Sequence, residues 1–163
     1  MIFKMIEQTL ILVKPDGVKR GLIGEVIARF EKRGLKIVGM KMVEVDPDFS
    51  KKHYAGHVDK YFYADLEKYI VSGPVAALVI EGVHAVEVVR KIVGGTEPKD
   101  AAVGTIRGDF AHTSNDYSDE KKKATANLIH ASGNLEEANQ EVALWFSIDE
   151  LHSYEAANEE HVM

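Results

Sequence analysis

The sequence predicts an α+β fold of the split, ferredoxin-like βαβ type: a four-stranded, mainly antiparallel sheet with helices packed on it. Two strand–helix–strand units can be read in order along the chain. One strand, Val75-Ala76-Ala77-Leu78-Val79-Ile80, has almost no polar alternation, so it belongs at the centre of a sheet covered on both faces. The length of 163 residues fits one domain over residues 1–163. A chain of that size can bury roughly 68–70% of its unfolded surface. A small doubly wound sheet is the alternative architecture.

Each element follows in chain order. Thr9-Leu10-Ile11-Leu12-Val13-Lys14 is a short apolar run stopped by Pro15-Asp16-Gly17, the pattern of a buried strand ending in a turn. Leu22, Ile23, Val26, Ile27 and Phe30 recur at helical spacing, and Gly34 stands where that helix should stop. Residues 35–45, rich in Val, Ile and Met, read as a second, partly exposed strand. Residues 50–71 read as helix in two pieces, broken near residues 56–59 and ended by Ser72-Gly73-Pro74. After the third strand, Ala85, Val88, Val89, Ile92 and Val93 mark an amphipathic helix that Gly94-Gly95 stops. Residues 95–110 read as a long ordered loop, a kind of segment that often carries function. Residues 115–126 read as an exposed, charged excursion, and Leu128-Ile129-His130 as a very short strand. Asn134 caps a final helix, with Glu137 at its third position, and that helix should bury Leu135, Ala138, Val142 and Trp145. The sheet is expected to be antiparallel or mixed, with the helices on one face.

Composition narrows the function. The net charge is −6, with 45% hydrophobic and 28% charged residues, which is ordinary for a globular chain and too apolar for disorder. The acidic balance argues against a nucleic-acid partner, which needs a broad basic face, but leaves room for a small anion held by a few local cations. There is no cysteine, hence no disulfide, thiolate metal site or cysteine nucleophile. No run reaches the ~18–20 apolar residues of a membrane span. Residues 1–7 carry no long apolar signal region, so a cytoplasmic location with no membrane partner is expected.

The chemistry must come from few residues. There are seven histidines, the one residue type whose unperturbed titration falls near neutral pH. His53 and His57 have i, i+4 spacing and read either as a metal pair or as a polar helix surface; no third ligand is evident, so a metal hydrolase lacks its ligands. His84, His112, His152 and His161 are expected in solvent. His130 ends an apolar pair, is flanked by Asn127 and Ser132, and precedes a capped helix, a rigid position suited to chemistry. A satisfied, half-buried histidine is the competing reading. Glu141 lies beside Ala138, Val142 and Trp145, and it points inward if an imidazole or hydroxyl partners it, or else lies on the surface. Lys14, Arg90, Arg107 and Thr96 stand at the ends of buried elements. Each alone would be an ordinary charge or turn residue; together they could clamp a polyphosphate, because guanidinium forks match phosphate oxygens. No Gly-x-x-x-x-Gly-Lys-Ser/Thr loop is present, which excludes a P-loop enzyme. Tyr54 and Tyr61-Phe62-Tyr63 offer either core packing or a stacking platform for a base.

Five segments, in order, resemble the nucleoside diphosphate kinase family over residues 9–154. They are Leu12-Val13-Lys14-Pro15-Asp16-Gly17-Val18, Ser72-Gly73-Pro74-Val75, Gly104-Thr105-Ile106-Arg107-Gly108-Asp109-Phe110, Asn127-Leu128-Ile129-His130-Ala131-Ser132, and Glu141 before Leu144-Trp145-Phe146. The resemblance implies a ferredoxin-like core, nucleoside triphosphate and diphosphate substrates with Mg²⁺, and ping-pong transfer through a phosphohistidine. It makes His130 the nucleophile, with Ser132 and Glu141 in support. It places Lys14, Tyr54, Phe62, Arg90, Thr96, Arg107 and Asn127 at nucleotide-binding positions. Mg²⁺ would be held by the nucleotide phosphates and water rather than by protein ligands. Stacking on Phe62 would accept every base. The family implies a homo-oligomer, a hexamer first.

The chain departs from the family pattern in two places. Residues 111–126 are longer than usual, which gives an extended surface loop before Asn127. Gly133-Asn134 follows Ser132 where the family has Asp then Ser. The alternative function is a non-catalytic nucleotide-binding module on the same fold. The presence of both His130 and Glu141 speaks against it. The preferred nucleotide and the reactive ring nitrogen of His130 are not legible at this level.

Overall fold

The sheet is built outward from its most apolar strands. In the computed structural model, which describes residues 5–163, β1 (Ile6–Val13) leads through Lys14 into a one-turn helix α1 (Pro15–Lys19) and then α2 (Ile23–Lys32). Strand β2 (Lys36–Val43), α3 (Pro47–His53), α4 (Tyr63–Ile70), β3 (Val75–Val83) and α5 (Ala85–Val93) follow. The chain continues through α6 (Ile106–Phe110), α7 (Asn115–Glu120), β4 (Ile129–Ala131), α8 (Leu135–Trp145) and α9 (Glu159–Val162). The N-terminal signal expectation rests in part on residues 1–4, which lie outside the described residues.

The strand order is β2-β3-β1-β4, and every neighbouring pair is antiparallel. This is the four-stranded α+β arrangement expected, and it excludes the doubly wound alternative, whose sheet is mainly parallel. The two central strands pair from Ile6↔Val83 to Val13↔Ala76. Side chains alternate across a strand. Ile11, Val13, Leu78 and Ile80 therefore pack with Val26 and Phe30 of α2 and Val89 and Val93 of α5. Leu10, Leu12, Ala77 and Val79 pack with Ile70 of α4 and Val142 and Trp145 of α8. Helices thus cover both faces, which corrects the expectation of one covered face. It also explains why residues 75–80 show no alternation: neither side meets water.

Three further departures have local causes. Residues 95–110 are not all loop, and residues 115–126 are not all excursion: they contain α6 and α7. Both helices are too short to show a hydrophobic period, and both are set by side-chain caps. Thr105 Oγ1 accepts from the Gly108 amide and Ser114 Oγ accepts from the Tyr117 amide, each at 3.1 Å. Leu135 is 44% exposed rather than buried, because it is the first residue of α8 and precedes the core-facing stripe. The expected Asn134 cap is present, accepting from the Glu137 amide at 2.9 Å.

Candidate active site

His130 is the middle residue of β4 and lies opposite Leu12 of β1. The strand begins one residue later than the apolar run suggests, because Leu128 holds φ 68°. That left-handed backbone costs a residue bearing a Cβ roughly 1–2 kcal/mol. It is over-determined by its neighbours. The Leu128 amide donates to Asp16 Oδ2 at 3.1 Å, its carbonyl accepts from the Lys14 amide at 2.8 Å, and its side chain is in the core. Gly17 makes the approach possible, since a Cβ there would stand 3.1 Å from the Leu128 oxygen and 2.8 Å from Val13 Cγ1. The Lys-Pro-Asp-Gly and Asn-Leu-Ile-His segments are therefore two halves of one construction.

Glu141, on α8, faces inward as one of the two readings required. Its Oε2 lies 2.9 Å from His130 Nε2 and accepts from Ser132 Oγ at 2.5 Å. Burial opposes its charge, but the hydrogen bond and charge of His130, with the Ser132 hydroxyl, outweigh burial and hold the carboxyl below its usual range. An ionised carboxylate only accepts, so Nε2 carries the imidazole proton. The lone pair is left on Nδ1, which makes no hydrogen bond among the described residues.

A second imidazole stands beside the first. His53 ends α3, and its ring meets that of His130 edge-on, with centroids 4.8 Å apart at 81°. The Trp145 indole N–H donates to His53 Nδ1 at 3.1 Å. The neutral ring therefore carries its proton on Nε2, which is buried without a partner. Burial, and then the neighbouring His130, push its pKa down to about 3, so His53 is neutral across the physiological range. This corrects both readings of the His53/His57 pair. The helix ends at His53, and His57 lies in the next turn, where its Nδ1 is 3.0 Å from Lys60 Nζ.

His53, His130 and Glu141 each bring a ligand atom within 4.8 Å of the others, the one cluster with metal-ligand spacing among the described residues. Trp145 opposes its use. Ligation through His53 Nδ1 would displace the indole, and ligation through Nε2 would put a proton on Nδ1, facing the indole N–H. Two imidazoles are in any case poor donors for Mg²⁺, which prefers oxygen. A magnesium ion here fits the phosphates of a substrate better than this protein cluster.

The cations gather on the other side of Asn127. Lys14 is 6% exposed, and its Nζ donates to Asn127 Oδ1 at 2.8 Å. Burial, and then the charge of Arg107, lower its pKa to about 7. Arg107 is 8% exposed and donates to three backbone carbonyls: Asn127 at 3.2 Å, Gly94 at 3.1 Å and Ile129 at 2.6 Å. Burial, and then the charge of Arg90, lower its pKa to about 10. Asn127 Nδ2 donates to the Thr96 carbonyl at 3.0 Å. Neither Lys14 nor Arg107 has a carboxylate ion partner among the described residues. Buried charges without a counter-ion are costly, so the arrangement is built for an anion.

Two cavities flank this group. One, of about 340 Å³, is lined by His130, Glu141, His53 and Tyr54. The Tyr54 hydroxyl is buried there without a hydrogen-bond partner. The other, of about 350 Å³, is lined by Lys14, Phe62, Thr96 and Asn127. Arg90 lines a separate, more open cavity with Gly94 and Gly95. Nine of the ten residues expected from the sequence lie in or against the Asn127–Ser132 segment and its two cavities, and Arg90 stands apart from them. His53, Asp16 and the indole of Trp145 were not anticipated. Asp16 was legible only as a turn residue, and His53 only as half of an i, i+4 pair with His57.

A carboxylate-paired histidine beside buried cations that lack a carboxylate partner, on an α+β fold, has the make-up of an enzyme acting on anions. A family model, nucleoside diphosphate kinase, matches residues 7–151. A nucleoside diphosphate kinase from Pyrococcus horikoshii is 52% identical over 151 residues, spanning 93% of this chain and 92% of that protein. A solved nucleoside-diphosphate kinase from Borrelia burgdorferi, a transition-state mimic with bound vanadate and ADP, is 46% identical with a TM-score of 0.92 over 96% of each chain. A halophilic nucleoside diphosphate kinase from Halobacterium salinarum, in complex with CDP, is 42% identical with a TM-score of 0.87, covering 96% of this chain and 98% of that one. The chain belongs to the nucleoside diphosphate kinase family. No helix among the described residues is long and apolar enough to cross a membrane.

Proposed function

We propose that this enzyme moves the γ-phosphoryl group of a nucleoside triphosphate to a nucleoside diphosphate in two half-reactions, through a phosphohistidine on His130. The observation that carries this reading is the pairing of His130 Nε2 with Glu141 beside a free Nδ1. In the first half-reaction the Nδ1 lone pair forms the N–P bond as the bond from the γ-phosphorus to the β,γ-bridging oxygen breaks. The diphosphate leaves with that electron pair. The proton stays on Nε2, so no separate general base is needed, and Glu141 stabilises the positive charge that develops on the ring. The second half-reaction reverses these steps onto the β-phosphate of another diphosphate.

Positioning and charge stabilisation supply most of the rate in phosphoryl transfer. Arg90, Arg107, Thr96 and the unpartnered Tyr54 hydroxyl serve the phosphate oxygens. Lys14 and Asn127 suit the sugar hydroxyls, and Phe62 offers the base a stacking face that tolerates any base. Mg²⁺, arriving on the nucleotide, supplies charge neutralisation of the phosphates. One domain over residues 1–163, a cytoplasmic setting and a homo-oligomer belong to the same reading. The exposed Met40 and Met42 of the edge strand β2 support the last, and light scattering tests it.

Incubation with γ-labelled ATP tests the mechanism. The expected result is an acid-labile, alkali-stable label on the protein that added diphosphate removes, and its loss in His130→Gln with ATP binding retained. Label retained in that variant overturns the assignment. ATP binding with no label in the wild-type protein returns the non-catalytic module.

A further inference from the structure

The cavity that holds Phe62 has a second wall, formed by the extended segment. Asn115, Asp119, Ala124 and Thr125 line it. Asn115, Ala124 and Thr125 carry no charge, and the two polar ones are engaged with neighbours. Asn115 donates through its amide and Nδ2 to the Glu97 carboxylate, at 2.9 and 3.3 Å, and its Oδ1 accepts from Thr125 Oγ1 at 2.8 Å. Ala124 is apolar. Asp119 differs: its carboxylate makes no hydrogen bond and no ion pair among the described residues. Its helix is nonetheless held firmly. Ser114 caps α7, and the next-door Ser118 is buried, its Oγ donating to the Ser114 carbonyl at 2.8 Å.

The position of this carboxylate within a nucleotide site follows from charge. A carboxylate repels phosphate, and Lys14, Thr96 and Asn127 line the same cavity. A nucleotide seated there sets its sugar against Lys14 and Asn127, its phosphates beyond them on the side of Thr96 and His130, and its base toward Asp119. We propose that Asp119 is a specificity-determining residue that favours bases with two adjacent hydrogen-bond donors on one edge, guanine above all. The inference rests on the function proposed above and adds a bias to the stacking on Phe62. Guanine presents N1–H and its 2-amino group side by side, and one carboxylate accepts from both. Hypoxanthine keeps N1–H but lacks the amino group. Adenine and cytosine place an acceptor nitrogen next to their amino group, and uracil flanks its N–H with two carbonyls. Each of those acceptors meets a carboxylate unfavourably.

The test compares GDP with IDP, which differ only in the 2-amino group, in calorimetric binding and in phosphoryl transfer to each as acceptor. The wild-type protein is expected to bind GDP about tenfold more tightly than IDP, the size of one hydrogen bond to a charged acceptor. The kcat/KM values should stand in the same ratio. Asp119→Ala should bring the two within twofold through loss of GDP affinity, with ADP bound no more weakly than by wild type and an unchanged circular dichroism spectrum as the control for the fold. Asp119 lies in the last turn of α7, where a carboxylate opposes the helix dipole, so its removal leaves the helix in place. Equal affinities in the wild-type protein, or an unchanged ratio in Asp119→Ala, overturn the proposal. A ratio that falls as expected in a protein that transfers no phosphate upholds Asp119 and overturns the kinase reading. Active transfer with a flat ratio does the reverse.

Discussion

Binding of a nucleotide should draw a proton from solution, and Lys14 sets how much. Its ammonium is buried, repelled by Arg107 and paired with no ionised carboxylate closer than the weak influence of Asp16, so its pKa falls to about 7. Relative to the ordinary value this is worth about 5 kcal/mol against the charged form. A phosphate-bearing ligand provides the missing counter-charge and restores the charge. At pH 8 only about a tenth of the free protein carries the Lys14 proton, so GDP should take up about 0.9 proton per site; at pH 7 about 0.5, and at pH 6 about 0.1. Terminal phosphates titrate near pH 6 and are silent at pH 8, and His53, with its pKa of about 3, is silent throughout. The assay is GDP titration calorimetry in Tris and in HEPES. The slope of the observed enthalpy against the buffer ionisation enthalpy counts the protons. A slope near zero at pH 8, or one that survives in Lys14→Met, would refute the reasoning.

The same lysine sets a stability slope. Because its folded pKa lies below the unfolded one, the unfolded chain holds a proton between about pH 7 and 10 that the folded chain lacks. Wild-type stability should therefore rise with pH across that window relative to Lys14→Met, by up to about 1.4 kcal/mol per pH step in urea melts. Below pH 7 both states are charged and the two curves should run parallel. Glu141→Gln removes the charged acceptor of both His130 and Ser132, and steady-state kinetics should show kcat down about 10–100-fold with KM little changed. Arg107→Lys keeps the charge but serves fewer of the three carbonyls, so thermal melts should show a loss of about 2 kcal/mol or more together with lower turnover. Trp145→Phe frees His53 Nδ1. Imidazole ¹⁵N spectra should then show mixed tautomers, and micromolar Zn²⁺, harmless to the wild-type enzyme, should inhibit the variant.

Much of the fold was legible because it rests on period and punctuation. The unbroken run of residues 75–80, the spacing of Val26 and Phe30, and the stops at Gly34 and Gly94 each express a single local rule. What stayed hidden depends on tertiary pairing. Nothing in the sequence says that the Trp145 N–H meets His53, since 92 residues separate them. Nothing local distinguishes the Glu141 that faces His130 from a surface glutamate one helical turn away. Arg107 read as a free cation at a glycine-rich turn. The structure shows it bracing the loop that carries His130, so Arg107→Ala should cost stability as well as any hold on a ligand. Resemblance named these positions; only coordinates show which atom of each is still available.

The placement of charge about the sheet explains how the site avoids quenching itself. His130 lies opposite Leu12, so it shares the face of the sheet that α8 covers, and Glu141 reaches it from there. The arginines arrive from the other layer, Arg90 on α5 and Arg107 on α6, next to the Ile106 and Val89 that pack against the opposite face. Between them lie the apolar strands and the Leu128 turn. Were Glu141 to share a layer with Arg90 and Arg107, the carboxylate would pair with a guanidinium, and both the orientation of His130 and the attraction for phosphate would be lost. Approach from opposite faces keeps the carboxylate with the imidazole and leaves Arg90 and Arg107 without a carboxylate partner among the described residues. Burial first, and then the neighbouring cations, depress the pKa values of Lys14 and Arg107, an electrostatic strain that the polyphosphate of the proposed reaction would relieve.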